Sequence, residues 1–254
     1  MRPNANIAAI VTGGASGLGR AVAETLSATG VKVAIFDIDP NGSAVADDLG
    51  GMFVAVDVTD ADAVAKALTL VRAEHGQERI CINCAGIAPA MKTVSRGDAH
   101  DAGLYAKVIG INLIGSFNVA SQSAAGMVGV DPVTEDGERG VIINTASVAG
   151  YDGQIGQVAY ASSKGGVIGM TLPMARDLAD KGIRVMAIAP GIFGTPMLKA
   201  FPQEVQDALA AQIPFPSRLG EPTEFGALAL HIIENPMLNG DVIRLDGAIR
   251  MPPR

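Results

Sequence analysis

The sequence predicts one doubly wound α/β domain, with a parallel seven-stranded sheet and helices on both faces. Short apolar segments rich in β-branched residues alternate with segments of helical spacing along the 254 residues, which is the pattern of right-handed βαβ units. The strand candidates are continuous apolar runs, as is typical of strands buried on both faces. A glycine-rich turn joins the first strand candidate to the first helix candidate, which favours the same class.

Seven segments are predicted to be strands: residues 7–11, 31–36, 52–56, 80–83, 141–145, 185–189 and 242–245. Helices are predicted between them, at residues 17–28, 41–49, 61–74, 101–127 and 158–179. We find no linker or internal repeat, so residues 1–254 are expected to form a single domain.

Two segments interrupt this alternation. Residues 129–140 are polar and acidic and are interpreted as a surface loop. Residues 191–220 contain four prolines and several apolar residues, and we interpret them as a lid that covers the substrate. The alternative for this second segment is a pair of helices packed on the core.

The charge and composition of the chain indicate which classes of partner are not expected. The net charge is −7, the pI is near 4.9, and no block of Lys and Arg stands out, so nucleic acid is not expected as a partner. No apolar run reaches the roughly 20 residues of a membrane span, so no membrane association is expected. The six residues before the first strand candidate are too few for a signal or transit peptide. The expected location is the cytoplasm.

Cys81 and Cys84 form a C-x-x-C, a spacing found in zinc and dithiol sites. We interpret the pair as part of a strand end, where residues three apart point to opposite faces. There is no second cysteine pair, and His75, His100 and His231 are scattered along the sequence. The sequence therefore predicts no metal site.

Tyr160 and Lys164 are four residues apart and share one face if the segment is helical. An ammonium beside a phenol favours the phenolate and lowers the pKa of the tyrosine, which suits proton transfer. The pair alone is weak evidence, because polar pairs at this spacing are common on helix surfaces.

The turn after the first strand reads G-x-x-x-G-x-G, at Gly13, Gly17 and Gly19. Glycines let the backbone turn tightly and approach a pyrophosphate, whose charge is favoured at a helix N-terminus. Because the turn lies between a strand and a helix, it predicts a dinucleotide-binding Rossmann domain.

Asp37 ends the second strand, where a carboxylate hydrogen-bonds the adenosine ribose and repels a 2′-phosphate. No Arg or Lys occupies residues 14–16 to bind that phosphate, and Arg20 beyond them is explained as a helix-surface residue. We therefore expect NAD rather than NADP. Two further strand ends are expected at the same edge, at Asp57 with Val58 and at residues 83–86.

In order and spacing, motifs along nearly the whole chain resemble the short-chain dehydrogenase/reductase family: residues 12–19, Asp57, residues 83–86, Asn112, Ser147, Tyr160, Lys164 and residues 190–191. One departure is Cys84, where the family usually has a second asparagine. The sequence at four segments resembles the type II 3-hydroxyacyl-CoA dehydrogenase branch of this family, which shares this cysteine: residues 83–88, 193–196, 214–220 and 242–251. That branch is also described as a 17β-hydroxysteroid dehydrogenase, type 10-like.

The resemblance implies a catalytic role for four residues. Tyr160 is the general acid and base, Lys164 lowers its pKa and holds the nicotinamide ribose, and Ser147 hydrogen-bonds the substrate oxygen. Asn112 bends the long helix and helps to hold a water that leads to the lysine, and a buried asparagine bonded to backbone is compatible with that role.

The resemblance also implies binding residues. Gln154 is expected to touch the substrate together with Ser147 and Tyr160, although the polarity of a turn explains it equally well. The expected NAD site comprises Gly13, Ser16, Gly17, Leu18, Gly19, Asp37, Asp57, Val58, Cys84, Ala85, Gly86, Tyr160, Lys164, Pro190, Phe193 and Thr195.

The expected function is that of an NAD-dependent oxidoreductase that interconverts a secondary alcohol and a ketone. The branch implies (S)-3-hydroxyacyl-CoA and 3-oxoacyl-CoA as the pair, in fatty acid metabolism, and a homotetramer. A hydroxysteroid or another short-chain alcohol is the alternative substrate. A remote alternative is a non-catalytic nucleotide-binding scaffold, but such proteins usually lose the tyrosine or the lysine.

Overall fold

The computed structural model describes residues 1–253 and contains a seven-stranded parallel sheet. Its strands are β1 (Ala8–Thr12), β2 (Lys32–Asp37), β3 (Met52–Ala55), β4 (Glu78–Asn83), β7 (Gly140–Thr145), β8 (Ile183–Pro190) and β9 (Val242–Leu245). A small antiparallel hairpin supplies β5 (Val94–Ser95) and β6 (Asp98–Ala99). The order in the main sheet is β3-β2-β1-β4-β7-β8-β9, which confirms the predicted doubly wound class.

Helices cover both faces of the sheet. They are α1 (Gly17–Ser27), α2 (Gly42–Asp48), α3 (Ala61–His75), α4 (Ala102–Ile109), α5 (Ser116–Val128), α6 (Val158–Asp177), α7 (Pro196–Lys199), α8 (Gln203–Ala210) and α9 (Pro222–Glu234). The predicted helix at residues 101–127 is continuous, but its middle, Gly110–Gly115, is a π-helix.

The central strands are buried on both faces, as their continuous apolar runs predict, whereas the edge strands β3 and β9 are only partly buried. Ile10 and Val11 are adjacent in β1, point to opposite faces and are both fully buried. Ile10 packs with Phe36 in one core cluster, and Val11 packs with Phe225 of α9 in the other. Burial of side chains of this size stabilises the fold by about 1.5–3 kcal/mol each.

The structure departs from the sequence predictions in the helices after β8. Residues 191–220 contain two helices, α7 and α8, but α8 has no buried residue and so does not match the alternative of a helix pair packed on the core. Helix α9 was not predicted, although its start carries a recognisable signal: Pro222 occupies the first turn and Glu221 forms a capping box with Glu224.

The loop at residues 129–139 is polar, as predicted, but it is not wholly a surface loop. Glu138 is only 7% exposed and accepts hydrogen bonds from Arg184 and from the amino group of Met1. Burial of a carboxylate requires such partners, because an unpaired charge is costly in the interior.

One helical stretch among residues 1–253, Ala102–Val128, is long and apolar enough to cross a membrane by length and composition alone, at a mean hydropathy of 1.2. The expectation is that no uninterrupted apolar run reaches roughly 20 residues, and this stretch, which contains Lys107 and Asn112, meets the looser criterion of helix length and mean hydropathy. Core helices of soluble proteins pass the same test.

Candidate active site

The candidate site lies at the carboxyl edge of the sheet, where the strand order reverses between β1 and β4. From β1 the chain continues to one side through β2 and β3, and from β4 it continues to the other side through β7. The connecting helices leave the sheet in opposite directions at such a point, which opens a crevice for a ligand.

The glycine turn lines this crevice and depends on glycine at defined positions. Gly13 and Gly17 have positive φ values of 67° and 56°. A Cβ at Gly19 would collide with the carbonyl oxygen of Gly13. Ser16 is exposed just before α1, and its hydroxyl does not cap the helix. The turn therefore presents backbone and one free hydroxyl at a helix N-terminus, which fits a pyrophosphate.

Thr12, to which the sequence assigned no individual role, connects the two halves of the crevice. Its hydroxyl oxygen accepts hydrogen bonds from the backbone N–H groups of Cys84 and Ala85, each at 3.1 Å. The residue is fully buried at the end of β1. The register of β1 with β4 pairs Thr12 with Asn83 and thereby brings the two segments together.

Asp37 is held beside the glycine turn. Its carboxylate accepts hydrogen bonds from the backbone N–H of Ala15 and of Asp39, each at 3.0 Å. Arg20, the nearest candidate for binding a 2′-phosphate, instead pairs with Glu24 at 2.7 Å. The residues present therefore fit a dinucleotide whose adenosine ribose carries free hydroxyls.

The next strand end presents Asp57 and buries Val58. The carboxylate of Asp57 is exposed and accepts hydrogen bonds from the N–H and hydroxyl of Thr59. The side chain of Val58 is 6% exposed and packs where a Cβ at Gly115 would stand. Of these two expected NAD-site side chains, only that of Asp57 faces solvent.

Lys164 and Asn112 meet beside Gly86. A Cβ at Gly86 would lie 3.1 Å from Asn112 Oδ1 and 3.8 Å from Lys164 Nζ. The lysine is 5% exposed and donates to the Thr145 carbonyl oxygen at 2.6 Å. Glycine is therefore needed at position 86 so that both polar groups can approach the end of β4.

Asn112 is fully buried in the π-helix and bonded to the backbone on both sides of its amide. Its Oδ1 accepts from Ile87 N–H, and its Nδ2 donates to the Ile87 carbonyl, both at 2.9 Å. Nδ2 also donates to Ser163 Oγ at 3.0 Å. The asparagine thus ties the long helix to the end of β4 and to α6.

Tyr160 and Lys164 share one face of α6, as their spacing predicts. Lys164 Nζ is 5.8 Å from the centre of the Tyr160 ring. Burial lowers the pKa of Lys164 to about 8. Burial also raises the pKa of Tyr160, and the nearby Ser147 hydroxyl lowers it in part. Desolvation of the phenolate outweighs the other effects, so the pKa of Tyr160 lies above its ordinary value and is not lowered toward neutrality as the spacing predicts.

Ser147 begins a short 3-10 turn between β7 and α6. Its Oγ accepts a hydrogen bond from Ala149 N–H at 3.1 Å, and the residue is 7% exposed. Gln154 follows in the loop before α6, and its Nε2 donates to the carbonyl oxygen of Pro252 at 3.1 Å. The structure thus brings Ser147 to Tyr160, whereas the Gln154 amide is engaged by the C-terminal segment.

Three expected residues follow β8. Pro190 ends the strand, Phe193 is 8% exposed and packs edge-to-face on Phe225, and Thr195 is half-buried. The Thr195 methyl group lies 3.5 Å from where a Cβ of Gly17 would stand. This contact brings the segment after β8 against the glycine turn.

Neither cysteine is a reactive thiol. Burial raises the pKa of Cys81 to about 12 and that of Cys84 to about 11. Cys84 accepts a hydrogen bond from the hydroxyl of Thr145 at the edge of the crevice. Within residues 1–253 no group of three or more His, Cys, Asp or Glu side chains could hold a metal ion.

Residues 7–206 match the family model described as short chain dehydrogenase. Human 3-hydroxyacyl-CoA dehydrogenase type-2 is 52% identical over 97% of this chain and 96% of its own. The Drosophila melanogaster protein of the same name is 52% identical over 98% and 99%. A crystal structure of 3-hydroxyacyl-CoA dehydrogenase type-2 from Mycobacterium avium superposes with a TM-score of 0.94 at 44% identity, over 98% of each chain.

Proposed function

The chain belongs to the short-chain dehydrogenase family, and from that premise we propose that it is an NAD-dependent dehydrogenase of (S)-3-hydroxyacyl-CoA thioesters. The observation that carries the proposal is the convergence of Tyr160, Lys164 and Ser147 next to the glycine turn. The names of relatives 52% identical over nearly the whole chain support the substrate class.

The side chains divide the proton chemistry among them. In oxidation, Tyr160 Oη takes the proton of the substrate hydroxyl, while Ser147 Oγ holds the same oxygen. In reduction, the Tyr160 phenol returns that proton to the oxygen of the ketone. When bound, the nicotinamide supplies the acceptor or the donor of the hydride.

Lys164 provides the positive charge that Tyr160 needs in its base form. Its pKa of about 8 leaves it mainly charged at neutral pH. The phenolate is disfavoured by burial, so a cation on the same helix face stabilises it as the proton leaves the substrate. The same ammonium would hold a ribose hydroxyl of the bound cofactor.

The preference for NAD is supported by charge at the ribose position. The Asp37 carboxylate is fixed by two backbone N–H groups and would face a 2′-phosphate with a like charge. The pairing of Arg20 with Glu24 leaves that phosphate without a ready partner in the turn.

The direct experiment is to follow NADH absorbance with acetoacetyl-CoA as the ketone. We expect turnover with a kcat/KM above that for ketosteroids, branched 3-oxoacyl thioesters and short-chain ketones tested in parallel with NADH. A higher kcat/KM for a ketosteroid or a short-chain ketone would overturn the thioester assignment and leave the dehydrogenase assignment intact.

We further propose a homotetramer in the cytoplasm, without nucleic-acid or membrane partners. Support for assembly comes from apolar side chains exposed along the long helix, including Ile114 and Phe117, at 50% and 49% exposure. Light scattering on the purified protein tests the assembly, and a monomeric mass would refute it.

A further inference from the structure

Under the proposed function, the substrate lies between two segments that we call walls. One is the loop at residues 151–157, here called the loop wall, which joins the turn of Ser147 to the helix of Tyr160. The other is the cover at residues 191–220. Residues 244–253, here called the C-terminal strap, contact both walls.

The strap holds the loop wall through backbone groups. The Pro252 carbonyl accepts from Gln154 Nε2 at 3.1 Å, and the Pro253 carbonyl accepts from Ile155 N–H at 3.0 Å. These bonds fix residues 154 and 155, in the middle of the loop wall, to the strap. The separation between this wall and the cover therefore depends on where the strap is placed.

The strap also holds the two ends of the cover. Gly191 N–H donates to the Leu245 carbonyl at 2.9 Å, and Phe215 N–H donates to the Gly247 carbonyl at 3.2 Å. A Cβ at Gly191 would lie 2.9 Å from Asp246 Cα, which shows how closely the strap passes the end of β8.

Arg244 is the side chain that joins these contacts at the root of the strap. Its Nε donates to Asp246 at 2.7 Å, and its Nη2 donates to Asp152 of the loop wall at 2.8 Å and to the Ile249 carbonyl at 3.0 Å. The guanidinium also lies 5.2 Å from the centre of the Tyr151 ring. The guanidinium thus links Asp152 of the loop wall to Asp246 and Ile249, which lie at the two ends of the turn after β9.

We propose that Arg244 is a positioning residue for the substrate, which sets the distance between the loop wall and the cover through the C-terminal strap. The inference rests on the proposed function for the identity of the substrate. Under this proposal Arg244 does not touch the reacting atoms. Its effect falls on thioester binding, because the residues that its guanidinium hydrogen-bonds, Asp152, Asp246 and Ile249, are not among those expected to bind NAD.

The Arg244→Lys variant separates geometry from charge. Lysine keeps the positive charge but presents one compact ammonium, which cannot reproduce a planar fork that reaches Asp152, Asp246 and a carbonyl together. Arg250→Lys is the matched control. Arg250 is 63% exposed and shares two of the acceptors of Arg244, the Asp246 carboxylate at 3.2 Å and the Ile249 carbonyl at 2.7 Å, but the hydrogen bond to Asp152 in the loop wall comes from Arg244.

The experiment combines kinetics with hydrogen exchange of the full-length protein. For Arg244→Lys we expect the KM for acetoacetyl-CoA to rise about tenfold, with kcat and the KM for NADH within about twofold. Backbone exchange should accelerate in residues 151–157 and 213–216. For Arg250→Lys we expect both readouts to stay close to wild type. Asp152→Asn, which weakens only the loop-wall contact, should accelerate exchange in the loop wall alone.

Two results would overturn the inference: equal thioester KM values in the two lysine variants, or a parallel loss of thioester and NADH binding that indicates general destabilisation. If wild type does not reduce acetoacetyl-CoA, the proposed substrate fails separately. Hydrogen exchange then tests the inference by itself. The inference is refuted unless Arg244→Lys, and not Arg250→Lys, accelerates exchange in both residues 151–157 and residues 213–216.

Discussion

Lys164 Nζ donates a 2.6 Å hydrogen bond to the carbonyl oxygen of Thr145, which ties α6 to the carboxyl end of β7. This bond holds an ammonium that is 5% exposed, and burial lowers its pKa from 10.5 to about 8. The lysine is therefore a destabilising group that the active site retains for its charge.

Replacement of Lys164 by Met should change how stability depends on pH. Below pH 8 the lysine is charged in both states, and its burial costs about 3 kcal/mol. Between pH 8 and 10.5 the unfolded state binds more protons, so that cost is relieved as the pH rises. Denaturant unfolding without cofactor should show that the free energy of unfolding of wild type rises relative to that of Lys164→Met between pH 8 and 10.5. A constant difference between the two proteins would contradict the buried charge.

The Tyr160→Phe variant should lose about 10²- to 10⁴-fold in turnover, because no other group in the described site is placed to exchange the substrate proton. NADH binding, followed by fluorescence titration, should stay near wild type. Tyr151→Phe is the control, since that tyrosine is 48% exposed and only its ring is contacted by Arg244. Turnover of Tyr160→Phe close to that of Tyr151→Phe would refute the assignment.

The Asp37→Asn variant should shift the cofactor preference toward NADP by at least about tenfold, because it removes a negative charge from the position of the 2′-phosphate. The amide can still accept a hydrogen bond from the backbone of the turn. Asp39→Asn, two residues away and exposed, should change the ratio little. The measurement is kcat/KM with each cofactor, and an unchanged ratio in Asp37→Asn would remove Asp37 from the ribose site.

The Gly19→Ala variant should weaken NADH binding about tenfold or more and lower the free energy of unfolding by about 1–3 kcal/mol. Its Cβ would meet the Gly13 carbonyl and push the turn open. Gly169→Ala in α6 is the control, because nothing lies within 4 Å of its Cβ position. That change should stabilise the helix by about 0.5–1 kcal/mol without affecting NADH. Equal NADH affinity in both variants would contradict the role of the turn.

Much of the sheet and most of the site could be predicted because their signals are local. Apolar runs such as residues 141–145 and 185–189 identify buried strands without reference to the rest of the chain. The glycine turn and the Tyr160–Lys164 spacing carry their meaning within a few residues. The predicted helix at residues 158–179 placed that pair on one face, and the structure has them there.

Other features could not be predicted because they depend on partners far away in the sequence. Glu138 was assigned to a surface loop, but its partner Arg184 is 46 residues distant. The resemblance implies that Asn112 bends the long helix, but the side chain's partners, Ile87 and Ser163, lie 25 and 51 residues away and could not be identified from the sequence. The pKa of Tyr160 is raised because the fold removes water from the phenol, an effect that helical spacing cannot report.

The sequence by itself determined the class of fold, and it predicted the crevice and the groups that we propose to transfer the proton. Local periodicity and short motifs are sufficient for these, because each depends on backbone conformation over one or two elements. Only the tertiary structure decided how the substrate side is closed. The strap from Arg244 onward meets Asp152 and Phe215 through contacts that span up to 92 residues, and such contacts exist only once the chain has folded.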